Sequence, residues 1–137
     1  MDKAADRSGI VALTGAIERV WNAGDVKSYA RLYARDATYV TRAGILWKGR
    51  KAIERGHAAA FRGDLKGTVL KIRIKRLRFL TAKNAVMHCA VELSEVARRR
   101  VRKIHAITRF ELRKKRDSLG HRGGANARES IAAKMTS

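Results

Sequence analysis

The stretch Thr68 to Leu80, TVLKIRIKRLRFL, constrains this chain most. Leu70, Ile72 and Ile74 alternate with Lys71, Arg73 and Lys75, a period of two that places one apolar and one charged face on a strand. Two further runs repeat the pattern. In NAVMHCAVEL the apolar set is Ala85, Met87, Cys89, Val91 and Leu93, and in RRRVRKIHAITRFEL it is Ile104, Ala106, Thr108, Phe110 and Leu112. The turn between the first two runs falls at Ala82 to Asn84. Three consecutive strands joined by short turns specify an antiparallel sheet with one dry face. That dry face needs a cover, which must come from the N-terminal half of the chain.

The N-terminal half supplies helices. From Ser8, read as a cap, Ile10, Leu13, Ile17, Val20 and Trp21 recur at helical spacing. Gly24 stops this helix and Asp25 caps a second, whose stripe is Val26, Tyr29, Ala30 and Tyr33. DATYVTR and AGILWKG read as two strands around Arg42, Ala43 and Gly44. A third helix follows from about Arg50 to Phe61, carries Ile53, His57 and Phe61 on one side, and ends at Gly63. The expected class is α+β: three N-terminal helices packed in a strongly curved antiparallel sheet. The 137 residues make one domain with a core. No apolar run approaches the roughly 20 residues of a membrane span, and no leader pattern opens the chain, so a cytoplasmic protein is expected.

The segment Trp21 to Ile53 resembles the nuclear-transport-factor-2-like superfamily of cone-shaped domains, and within it the SnoaL-like and SgcJ/EcaC-type proteins. The residues that carry the resemblance are WNAGD at Trp21 to Asp25, LYARDA at Leu32 to Ala37 and GRKAI at Gly49 to Ile53. The resemblance implies a cone of sheet around helices with a pocket between them, and association of two copies through their sheets. This fold serves isomerases, cyclases, dehydratases and pure binding modules, so chemistry must be argued from the residues. Steroid delta-isomerases share the frame. Their general base would fall at Thr41 and their first-helix tyrosine donor at Ile17. A hydroxyl is no base near neutral pH, and an aliphatic chain donates nothing to an oxyanion. The steroid delta-isomerase mechanism is therefore excluded for this chain.

Of the four histidines, His88 and His105 fall on the charged strand faces and His121 lies in the tail. His57 alone shares a helix side with apolar neighbours. It is the candidate acid or base, with no inward carboxylate to orient it. Tyr39, Thr41, Trp47, Phe61 and Met87 are the candidate pocket. A cyclase, isomerase or dehydratase acting without cofactor on a carbonyl or polyketide-like substrate is one expected function. A non-catalytic module binding a small apolar or carbonyl-containing molecule is the other. No metal-ligand grouping, dinucleotide fingerprint or phosphate loop is present in the sequence, so neither metal nor cofactor is expected.

Charge brings a third class into view. The chain carries 32 Lys and Arg against 12 Asp and Glu, a net charge of +20, which attracts nucleic acid. Lys71, Arg73, Lys75, Arg76 and Arg78 form one basic cluster and Arg98 to Lys103 another. Neither is interleaved with the aromatic residues of a stacking platform, which favours a solvated face or the outer face of a homodimer over nucleic-acid binding.

The cone domain is expected over residues 1–115. Residues 116–137 read as an atypical basic and polar tail in which the final strand of such domains is missing, so that the tail is disordered or frameshifted. With a run of A at the codons for Lys114 and Lys115, removing one nucleotide permits a reading with a turn, a Trp and alternating apolar residues.

Overall fold

A computed structural model describes residues 3–97, 100–115 and 128–136. Helix α1 spans Lys3–Asn22 and α2 spans Val26–Arg31. A short hairpin follows, β1 Thr38–Val40 and β2 Leu46–Lys48, and then α3 Arg50–Arg62. Strands β3 Val69–Phe79, β4 Asn84–Ala97, β5 Arg100–Lys115 and β6 Arg128–Thr136 form an antiparallel sheet in the order β3-β4-β5-β6. The α+β class and the element order through β5 match the sequence reading. Helix α1 begins five residues before Ser8, because Ala4, Ala5 and the first-turn Asp6 favour helix and an early acid suits its N-terminus. Ser8 is thus a helix-interior residue and not a cap.

The dry faces assemble as alternation predicts. Leu70, Met87, Cys89, Val91, Phe110 and Leu112 join Ile10, Leu13, Ile17 and Trp21 of α1 in one core. Register aligns the sets across the sheet, with Leu77 opposite Met87 and Met87 opposite Phe110. A bulge between Ile74 and Arg76 inserts Lys75 into β3 and restores the inward parity of Leu77 and Phe79. It also leaves two adjacent cations, Lys75 and Arg76, both exposed.

Strand β3 is a sheet edge, and α1 covers it. Asn22 accepts from the Leu70 amide through Oδ1 (2.7 Å) and donates to the Leu70 carbonyl through Nδ2 (3.4 Å). Glu18 Oε2 accepts from the Ile72 amide at 2.9 Å. Helix side chains thereby satisfy backbone groups that would otherwise invite another strand. Trp21 Nε1 donates to Thr68 Oγ1 (3.1 Å), whose hydroxyl donates to the Leu65 carbonyl (2.8 Å).

The sequence alone places no strand after Lys115, yet Arg128–Thr136 pairs along β5 as β6. Its register sets Ile131 opposite Leu112, Ala133 opposite Phe110 and Met135 opposite Thr108. The apolar positions of IAAKM therefore fall opposite the inward positions of β5, an alternation too short and weak to stand out from the polar tail. Residues 116–127, including His121, lie outside the described residues. β1 lies against β6, next to the open end of the sheet.

Candidate functional site

The first half of the chain delivers an aromatic cluster to the cone interior. Tyr29 lies on α2 and Tyr33 two residues past its end, where the chain turns back and brings the two rings together. Their hydroxyls are 2.6 Å apart and both rings are buried. Tyr39 on β1 also hydrogen-bonds Tyr29. Burial raises the pKa of all three phenols above the ordinary range, so they are neutral donors and acceptors. Arg50 fixes their placement. Its Nε and Nη2 both donate to the Tyr33 carbonyl, at 2.9 and 2.6 Å, tying the start of α3 to the end of α2. Gly49 precedes it with φ of 88°, a conformation that favours glycine.

His57 lies at the centre of this cluster, only 2% exposed. The rings of Tyr29, Tyr39, Trp47 and Trp21 surround it edge-on, with centroids 4.7 to 5.9 Å away. Its Nδ1 lies 2.9 Å from the Ile53 carbonyl, which can only accept, so Nδ1 carries the proton. Burial lowers its pKa to about 4, against a smaller upward pull from that hydrogen bond. A neutral imidazole of such low basicity, with no carboxylate bonded to it among the described residues, is a poor general base near pH 7.

The other sequence candidates divide. Tyr39 faces the interior, and Trp47 stacks on it at 5.5 Å with the rings 19° apart. Gly56 admits the Trp47 ring, since a Cβ there would lie 2.3 Å from it. Phe61 packs edge-on to Trp21 at 4.7 Å, and Met87 is fully buried in the core. Thr41 is not brought to this cluster. It sits at the β1–β2 turn, where its hydroxyl accepts from the Ile45 amide (3.0 Å) and its amide donates to the Ile45 carbonyl (2.9 Å). The hairpin turns too soon after Val40 for Thr41 to keep strand parity.

A cavity of about 30 Å³ lies among Tyr29, Tyr33, Tyr39, Ile17, Phe110 and Thr108. Thr108 is 3% exposed, and its hydroxyl has no hydrogen-bond partner among the described residues. An orphaned hydroxyl in a core costs about 1–3 kcal/mol. Sequence reasoning missed Thr108, Tyr29 and Tyr33 as site residues. Thr108 was nonetheless visible as the one hydroxyl in the apolar set of β5, and the tyrosines as a pair four apart. No group of three His, Cys, Asp or Glu residues able to hold a metal occurs among the described residues. Cys89 is buried, and its thiol pKa is pushed up to about 12.

No family model matches this sequence, and neither does any curated protein. Solved structures do. A Nostoc punctiforme domain of unknown function with a cystatin-like fold aligns at TM-score 0.76 and 24% identity, over 96% of this chain and 76% of that one. An NTF-2 like protein of unknown function from Shewanella oneidensis aligns at 0.74 and 16% identity, over 94% and 98%. A ketosteroid isomerase-like protein from Erwinia carotovora atroseptica aligns at 0.66 and 17% identity, over 95% of each chain. At these identities the likeness establishes the fold: this is an NTF2-like, cystatin-like cone.

Proposed function

We propose that this chain is a small-molecule-binding cone domain that does not use His57 as an acid or base. Its ligand is small and largely apolar, with one carbonyl or hydroxyl group. The observation that carries the reading is the buried Thr108 hydroxyl, without a hydrogen-bond partner among the described residues, lining a cavity among three tyrosines. A core retains a polar group at such a cost where function needs it. A ligand oxygen would meet the Thr108 hydroxyl, able to donate or accept, beside the neutral tyrosine hydroxyls in a lining with no charged group among the described residues.

The enclosure is tight. About 30 Å³ holds one or two waters, so any ligand beyond a few heavy atoms requires the cone to open. Half-buried Trp47 and Phe61 flank the cluster where it approaches solvent. The cyclase or dehydratase alternative would need a base other than His57, and among the described residues no carboxylate lines the cavity.

The test is a screen of small ketones, alcohols and phenols by protein-observed NMR on wild type and Thr108→Val. We expect shifts at Thr108 and the tyrosines in wild type, at least tenfold weaker binding in the variant (about 1.4 kcal/mol), and no turnover. Hits confined to the outer surface, or equal binding by Thr108→Val, would remove the basis for the reading.

A further inference from the structure

The outward face of the sheet carries an arrangement that the cone interior does not explain. Lys71, Arg73, Lys75, Arg76 and Arg78 are all exposed along β3. None forms an ion pair with a carboxylate among the described residues. The ion pairs found there join Lys103 to Glu92, Arg109 to Glu111, Arg113 to Asp36 and Lys114 to Asp6. The register sets Arg76 opposite His88, His88 opposite Arg109 (itself paired with Glu111) and Lys71 opposite Glu92, so the positive charge without an ion-pair partner among the described residues is concentrated along β3. Beside this row, Lys71, Arg73, Ala90, Glu92, His105 and Ile107 line an open concavity of about 830 Å³.

We infer that this face binds the phosphate backbone of duplex nucleic acid without reading its sequence. Charge complementarity selects the occupant. Five cations over seven strand steps extend about 23 Å at roughly 3.3 Å per residue. The complementary object is a long, regular polyanion, and a duplex carries one charge per about 1.7 Å. Among the described residues the face has no Trp, Tyr or Phe to stack on a base: Phe79, the aromatic residue of β3, packs against the core. That argues against single strands and against base recognition. Ile72, Ala90, Val91, Ala106 and Ile107 also line the concavity, but none of its lining residues is a Trp or Tyr of the kind that anchors a protein partner. A second copy using the same face would set this basic row against itself, since a two-fold interface presents one patch to its own image.

Fluorescence anisotropy of the full chain with 20-base-pair duplexes of unrelated sequence tests the inference. Five phosphate contacts give a slope of log K against log salt of about −4.5, or about a 500-fold loss for a fourfold rise in salt. Arg73→Gln/Arg76→Gln/Arg78→Gln is expected to bring the slope to about −1.8. The exposed positions leave folding intact by circular dichroism. Arg73→Lys/Arg76→Lys/Arg78→Lys is expected to keep the wild-type slope, and Arg116→Gln/Arg122→Gln to change it by less than about half a unit. The inference is overturned if the slope change follows the tail variant, or if one duplex sequence binds far better than another. It is equally overturned if sedimentation shows a dimer that the β3 glutamine variant dissociates while DNA binding stays unchanged.

Discussion

His57 makes the sharpest prediction about this fold. In the unfolded chain its imidazole titrates near 6.5. In the cone, burial lowers the pKa to about 4. Above pH 7 the ring is neutral in both states and contributes no pH dependence. As pH falls from 6.5 towards 4, the unfolded chain takes up a proton that the folded chain refuses. Stability therefore drops with falling pH, by up to about 1.4 kcal/mol per unit and about 3 kcal/mol in all by pH 4. Carboxylates also titrate in this range, so the relevant quantity is a difference. Urea unfolding of wild type and His57→Phe at half-unit steps from pH 8 to 4.5 isolates it. The variant is expected to lose less stability over that interval, by between 2 and 3 kcal/mol, on the order of the full linkage term. An NMR titration of the wild-type ring checks the same point without mutation: no protonation above pH 5. A His57 resonance titrating near 6.5, or parallel pH profiles for the two proteins, would refute the buried neutral imidazole and reopen its use as a catalyst.

Other consequences follow from single contacts. Asn22→Ala removes both bonds to Leu70 at the sheet edge and should cost about 1–3 kcal/mol by urea unfolding; an unchanged midpoint would show that water replaces the side chain. Gly56→Ala gains helix propensity but puts a Cβ 2.3 Å from the Trp47 ring. It should alter the near-UV circular dichroism and destabilise by about 1–2 kcal/mol as overpacking outweighs propensity, whereas a more stable protein with an unchanged spectrum would contradict the packing described. Strand β6 pairs where a final strand is expected, so the proposal of a one-nucleotide insertion at Lys114 and Lys115 rests on the gene alone: it predicts a run of A at those codons, and AAG-AAG there would end it.

Much of the fold was legible because the dry faces of β3, β4 and β5 each obey a period of two over many residues. Leu70, Met87, Cys89 and Phe110 could hardly be placed otherwise. Strand β6 was not legible, since its apolar positions mean little until β5 supplies an opposite row. Thr41 was misplaced for a local reason: strand parity extrapolated past Val40 ignores the turn that its own hydroxyl closes. His57 was legible as buried, but its company was not. The four rings around it come from α1, α2, β1 and β2, and only the folded chain brings them together. The same holds for Thr108, whose hydroxyl acquires meaning only when three tyrosines from the other end of the domain surround one cavity.

The central claim is that the cone interior, through Thr108 and the tyrosine hydroxyls, receives the polar end of a small ligand. A crystal structure of the full chain soaked with the tightest compound from the NMR screen tests it most directly. The account predicts density inside the cone, with a ligand oxygen in hydrogen-bond reach of Thr108 Oγ1 and the Trp47 side displaced to admit it. A closed interior with Thr108 bonded to a backbone carbonyl, and the compound lying only on the outer surface, would contradict it.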